Sequence, residues 1–212
     1  QVILNTNSFM EIVFTGSERR VYLRRGEGLF NVAKDRSRPF RVFAGQRVVE
    51  AVGTAFSVQH VQDDSVEVIV TEGKVNFLVL HQNAEQNTEN LLTEEVLRDS
   101  DVLPLEAGEF AAVQNAAPES LRTGAIQPEE MEVKLAWQHG MLLFQGDPLE
   151  QVLKEFGRYT TIKLEATEAV KDIKVEGFYR AGDVERFLVG IENNFQIDVQ
   201  EISENHFVLT AR

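Results

Sequence analysis

From about residue 8 to residue 80 the apolar positions fall in short alternating or β-branched runs broken by Gly and Asp, the pattern of half-buried strands and their turns. The runs predict strands at 11–14, 20–23, 28–32, 40–43, 46–49, 55–59, 65–70 and 74–80. In 65–70, Val66, Val68 and Val70 share one side and Glu67 the other, as in an antiparallel strand with one buried face. Asp63-Asp64 and Glu72-Gly73 read as flanking turns, which makes this stretch a hairpin candidate. Residues 81–102 lose the periodicity and read as a solvated excursion with a helical portion near 94–98. Residues 103–114 read as one more strand. The stretch from Gln114 to Glu132, with Pro118 and Pro128 and little apolar content, reads as a linker.

After residue 136 the period changes. Leu149, Val152, Leu153 and Phe156 recur at helical spacing behind Asp147, a candidate N-cap, and Pro148, with Gly157 at the stop. A second amphipathic helix follows Asp183. Strands are expected at 141–144, 161–165, 173–178, 196–202 and 206–210. The order strand, helix, strand, strand, helix, strand, strand describes a small α+β unit of two weakly repeated halves, with two helices on one sheet. The expected fold is therefore a mainly β domain of antiparallel layers over 1–115, a linker over 116–135 and an α+β domain over 136–212.

Charge sharpens this division. The net charge is −13, yet residues 1–50 hold nine basic against five acidic side chains, while Glu85 to Glu132 hold twelve acidic against two basic. So acidic a chain is a poor binder of nucleic acid. The basic stretch could touch anionic lipid, but its alternation with apolar residues reads more simply as a solvated strand face. No apolar run approaches the roughly 20 residues of a membrane span. The start at Gln1, without Met, suggests a fragment or a processed chain.

Chemistry is sparse. The chain has no cysteine, and His60, His81, His139 and His206 lack the spacing of a metal site. No phosphate loop, nucleophile elbow or dinucleotide fingerprint is present, so neither a cofactor nor turnover catalysis is expected. Trp137, the single tryptophan, reads as a core anchor, with an interface role as the alternative. Arg158, just beyond Gly157, reads as a cap for helix carbonyls or a partner contact.

Two ordered sets of residues resemble a known family. The first is Arg20-Val21-Tyr22-Leu23, Gly26-Glu27, Phe30-x-Val32, Arg38-Pro39-Phe40-x-Val42, Gly53-Thr54-x-Phe56-x-Val58, Glu72-Gly73-x-Val75 and Leu105-x-x-Gly108-Glu109. It resembles the FecR family of transmembrane sigma regulators. The second is Ala136-Trp137-x-x-Gly140, Phe144, Pro148-Leu149 and Arg158-Tyr159, similar to the secretin and TonB short N-terminal (STN) domain that ends many such regulators. The resemblance implies a periplasmic anti-sigma relay held at the inner membrane by a segment absent from this chain. Its implied partners are the signalling domain of a TonB-dependent outer-membrane transducer in iron uptake, a periplasm-facing protease and, through a missing cytoplasmic domain, a sigma factor. A β-rich carbohydrate-binding or adhesion module is the competing class, weakened because Tyr22, Tyr159, Tyr179 and Trp137 are few and dispersed.

Two candidate sites follow from the resemblance. Some FecR relatives cleave themselves at the Gly-Thr of this motif by an N-to-O acyl shift, which makes Gly53 and Thr54 the candidate pair here. A threonine hydroxyl can attack the preceding carbonyl where glycine permits a strained backbone. The plain alternative is a bend at Gly53 and an ordinary strand residue at Thr54. For the transducer, strand addition at a sheet edge is expected, with Gln196, Asp198, Gln200, His206, Val208 and Thr210 as candidate contacts.

Overall fold

The computed structural model describes residues 1–61, 65–79, 100–114 and 117–212. The chain divides into two compact units, Gln1–Met131 and Glu132–Arg212.

The first unit is one eleven-stranded sheet curled on itself, so that its two halves enclose a single core. Its strands are β1 (Val2–Leu4), β2 (Phe9–Phe14), β3 (Arg19–Asn31), β4 (Phe40–Ala44), β5 (Arg47–Ala51), β6 (Ala55–His60), β7 (Val66–Glu72), β8 (Lys74–Val79), β9 (Asp101–Glu106), β10 (Glu109–Val113) and β11 (Arg122–Ala125). The long β3 joins the halves. Its first residues run parallel to β4 and antiparallel to β2, and its last, from Gly26, pair with β6 and β1. One half then continues β4-β5-β8-β9 and the other β6-β7-β10-β11. Between them lie Val21, Leu23, Val42, Val49 and Phe77 from one side and Phe30, Phe56, Val58, Val68 and Val70 from the other, all essentially inaccessible to solvent. Four of the places where the chain passes from half to half carry a glycine at positive φ, Gly26, Gly53, Gly73 and Gly108, and the passage from β1 to β2 carries Asn7 at φ +53°. At Gly26 a Cβ would lie 2.1 Å from Ser8 Oγ and 2.5 Å from Ser8 Cα, so the crossing needs both the conformation and the missing side chain.

Four expectations change here. The 20–23 and 28–32 runs are one strand bent at its glycine, and 103–114 is two strands joined through Ala107-Gly108. Val66–Glu72 does pair with β6, but Glu72-Gly73 is a crossing, because β8 pairs with β5 and β9 instead of β7. The expected linker holds β11, which adds to β10, and a helix, α1 (Pro128–Leu135). Low apolar content is misleading here because β11 is an exposed edge strand held by backbone hydrogen bonds. The Asp63-Asp64 turn and the helical portion expected near 94–98 lie outside the described residues.

The arginines that make 1–50 basic are largely used inside the structure. Arg41 is buried between Glu18 (2.9 Å) and Glu50 (2.7 Å), Arg20 also pairs with Glu18, and Arg24 pairs with Glu11. Hydrogen bonding from Arg20, with the charges of Arg20 and Arg41, holds the Glu18 carboxyl below its usual range despite its burial. Arg19 donates to the carbonyls of Arg38 and Ala33.

The second unit contains β12 (Met141–Pro148), α2 (Leu149–Gly157), β13 (Lys163–Ala166), β14 (Lys174–Arg180), α3 (Val184–Asn194), β15 (Ile197–Ser203) and β16 (His206–Ala211). The expected element order holds, but the strands form two small sheets. β12 pairs with β14, while β16 lies between β13 and β15. The internal repeat is visible in this pairing. The strands that open each half pair together, and those that close each half flank β16. α2 and α3 bury Leu149, Val152, Leu153, Phe156, Phe187 and Ile191 in one core, where Phe156 stacks on Phe187 at 4.2 Å.

Asp183 caps α3 by accepting from the Arg186 N–H. Asp147 does not cap α2. Pro148 holds the N-cap position, and the Asp147 carboxylate accepts from the Gln145 N–H within β12. Arg158 pairs with the Glu155 carboxylate at 2.8 Å. Trp137 is buried in the turn Ala136–His139, which Gly140 closes in a left-handed conformation.

Candidate functional site

Gly53 and Thr54 occupy the corner where the chain leaves β5 in one half of the sheet for β6 in the other. Val52 is exposed and Ala51 buried, so the turn is forced at the rim of the core. Gly53 has φ +72°, and a Cβ there would come within 2.8 Å of Lys34 Cβ and 3.1 Å of its Cα. Any other residue would have to displace the 33–39 loop. The Thr54 carbonyl accepts from the Val32 N–H at 2.9 Å, which fixes the corner to the end of β3. Gly73, at the next crossing, packs so closely that a Cβ would lie 2.9 Å from Thr54 Cγ2 and 3.4 Å from the Gly53 carbonyl oxygen.

This packing buries Thr54 to 4 % exposure, and among the described residues its Oγ1 finds no hydrogen-bond partner. Buried hydroxyls are nearly always satisfied, so an idle one next to a left-handed glycine is a departure that needs a reason. The corner thus holds a buried, unpartnered hydroxyl on the residue that follows the Gly53 carbonyl. Around these two consecutive residues the structure packs Gly73 and Lys34, which sequence reasoning did not place at this corner. The Glu72-Gly73-x-Val75 pattern carried the signal for Gly73, but only the curled sheet places it against Thr54.

The second set of candidates divides. His206, Val208 and Thr210 lie on β16, which has a strand on each side, so strand addition there is excluded and that expectation is corrected. Its apolar alternation resembles that of an edge because the parallel partner, β13, is forty residues away in sequence. His206 instead binds Glu165 on β13 through Nε2 at 2.5 Å. Lys163 and His206 together lower the Glu165 pKa.

β15 is the edge. The Arg212 N–H donates to the Gln196 carbonyl at 3.1 Å, which makes 196·212, 198·210 and 200·208 the hydrogen-bonded pairs. The backbone groups of Gln196, Asp198 and Gln200 therefore face β16, and those of Ile197, Val199 and Glu201 face outward. Ile197 is fully buried and its carbonyl accepts from the Arg212 guanidinium at 3.3 Å, and the Val199 N–H is met by Glu192 at 3.4 Å, so the open part of the edge is at Glu201. The Asp198 carboxylate binds Arg212 at 2.8 Å. Among the described residues no cluster of three or more His, Cys, Asp or Glu could hold a metal ion, and no helix is long and apolar enough to cross a membrane.

Residues 1–76 match the model of the FecR protein family. Over these residues the first unit is similar to that family. The match includes Gly53, Thr54 and Gly73, and it ends within β8. Two crystal structures of a protein titled a putative anti-sigma factor from Parabacteroides distasonis ATCC 8503 share the fold. Each is 24% identical with a TM-score of 0.68, and the alignments cover 100% of this chain and 90% and 89% of theirs. No curated protein matches the sequence.

Proposed function

We propose that the chain is the periplasmic, signal-relaying part of a FecR-like anti-sigma regulator. The FecR match over residues 1–76 carries this reading, and the anti-sigma title of the structural neighbours agrees with it.

The second unit is read as STN-like, and its partner as the signalling domain of a TonB-dependent transducer in iron uptake. The support is the twice-repeated strand-helix-strand order and the outward backbone of β15, which suits recognition by strand addition. The incoming strand meets the exposed Glu201 first and displaces Glu192 from Val199; Ile197 is buried, with its carbonyl taken by Arg212, and lies beyond its reach. The full chain should retain the signalling domain in affinity capture. Glu201→Pro should lose it, because that proline removes an outward donor without touching the β15–β16 ladder. Equal capture by both forms would refute the edge.

Thr54 is read as the nucleophile of a single self-cleavage. Its Oγ attacks the Gly53 carbonyl carbon, and the C–N bond breaks as the hydroxyl proton passes to nitrogen. The Gly53 acyl group is left as an ester on Thr54 Oγ beside a free amine. Water then splits the ester, freeing the Gly53 carboxylate and a chain beginning at Thr54. The pieces stay together through β3–β6 and β5–β8 pairing, so cleavage relaxes the corner and readies the first unit for a protease. Intact mass after incubation tests this: fragments 1–53 and 54–212 are expected, absent in Thr54→Ala. A single uncut mass throughout would contradict it.

A further inference from the structure

β2 is an apolar strand at an open sheet edge. It pairs with β3 on one side and, among the described residues, with no strand on the other. Phe9, Ile12, Val13 and Phe14 are each about half exposed, the densest group of exposed large apolar side chains in the first unit. Natural edges are usually blunted by lysine, proline or a bulge. From Met10 to Phe14 β2 has none of these, and its one charge, Glu11, is neutralised by Arg24 at 2.5 Å.

The hydrogen-bond parity defines what can add there. The Thr15 N–H donates to the Glu18 carbonyl at 2.9 Å, so 15·18, 13·20 and 11·22 are the hydrogen-bonded pairs of this hairpin. The backbone groups of Met10, Ile12 and Phe14 consequently aim outward. These three residues are evenly spaced about Ile12, so a second β2 running antiparallel meets them in a two-fold register, Ile12 against Ile12 and Met10 against Phe14. The side chains of those pairs share one apolar face. On the other face each Glu11 falls opposite Val13, and no like charges are opposed. A lipid surface suits the strand less well, because Arg20, Arg24, Arg38 and Arg41 nearby are already paired with carboxylates.

The geometry points to a symmetric dimer formed by β2 of two copies of this chain, joining their curled sheets across Ile12. The four half-exposed side chains amount to on the order of 400 Å² per copy, half of the ~800 Å² per partner of a standard interface. The dimer is therefore a weak one that forms where the local concentration is high.

Sedimentation of the full chain from about 5 µM to 1 mM should show a monomer–dimer equilibrium. Ile12→Pro, which removes only an outward donor, should weaken it at least tenfold with an unchanged circular dichroism spectrum. The cysteine-free sequence permits a geometric test: Ile12→Cys places two thiols on the two-fold axis, where the expected Cα separation of about 5.5 Å suits a disulfide. Its oxidation to a covalent dimer should be at least tenfold faster than that of Val189→Cys, an equally exposed site on α3. A chain that stays monomeric at 1 mM overturns the proposal. So does a dimer indifferent to Ile12→Pro, or one that cross-links no faster at 12 than at 189.

Discussion

Replacing Thr54 by valine separates a structural hydroxyl from one held ready for chemistry. Valine keeps the branched shape and the Cγ contact with Gly73, so the substitution exchanges only a buried hydroxyl for a methyl. Were Oγ1 hydrogen-bonded, its loss would cost about 1 kcal/mol, as for ordinary buried polar groups. Here it has no partner among the described residues at 4 % exposure, so the folded state already bears its desolvation, which is about 1–3 kcal/mol. Thr54→Val should therefore raise stability by about 1–2 kcal/mol. For a unit spanning Gln1–Met131 that moves the thermal midpoint up by roughly 3–8 °C. Urea unfolding of uncut protein, followed by far-ultraviolet circular dichroism, measures it. Trp137 fluorescence would not serve, since the only tryptophan lies in the second unit. A loss of 1 kcal/mol or more would mean that the hydroxyl is satisfied, and the case for an idle nucleophile would fail.

Gly53→Ala should destabilise the first unit by about 2–3 kcal/mol in the same assay, because it adds a Cβ against Lys34 at a left-handed φ. Phe156→Ala should cost the second unit about 3–5 kcal/mol, read from Trp137 fluorescence in urea, since Phe156 is fully buried among Phe144, Tyr179 and Phe187. Hydrogen bonds from Ser37 and then Arg38 lower the Asp35 pKa to about 2. Because that value is depressed on folding, the stabilisation it gives is complete above about pH 4 and disappears as pH falls through about 2. Carboxyl-carbon NMR titration should show the low value, and Ser37→Ala should raise it.

Most strands of the first unit are legible from alternation because each has one face on the core: Val66, Val68 and Val70 point inward while Glu67 does not. The crossings are less legible. A glycine between two apolar runs looks the same whether the runs form a hairpin or part into opposite halves, and at Gly73 the pattern suggests a hairpin where the chain crosses. β11 escapes a reading of apolar pattern because Arg122-Thr123-Gly124-Ala125 carries no buried side chain; its reason to be a strand is the free edge of β10. In the second unit helical spacing locates α2 and α3 well, but Asp147 and Pro148 each shift by one position because the backbone stays extended through Pro148. The candidate corner is legible as a motif and opaque as chemistry. Sequence sets Gly53 before Thr54, and only the packing of Gly73 and Lys34 around them explains why the hydroxyl is dry. At β15 and β16, alternation is right for both strands and silent about which is the edge, since that depends on the distant, parallel β13.

Recognition of a transducer's signalling domain by the β15 edge is the central claim, and backbone hydrogen exchange on the full chain tests it most directly. Titration with that domain should slow the outward amides of Val199 and Glu201 at least tenfold and leave β2 and β11 unchanged. Protection confined to the first unit, or no protection at saturating partner, would contradict the account.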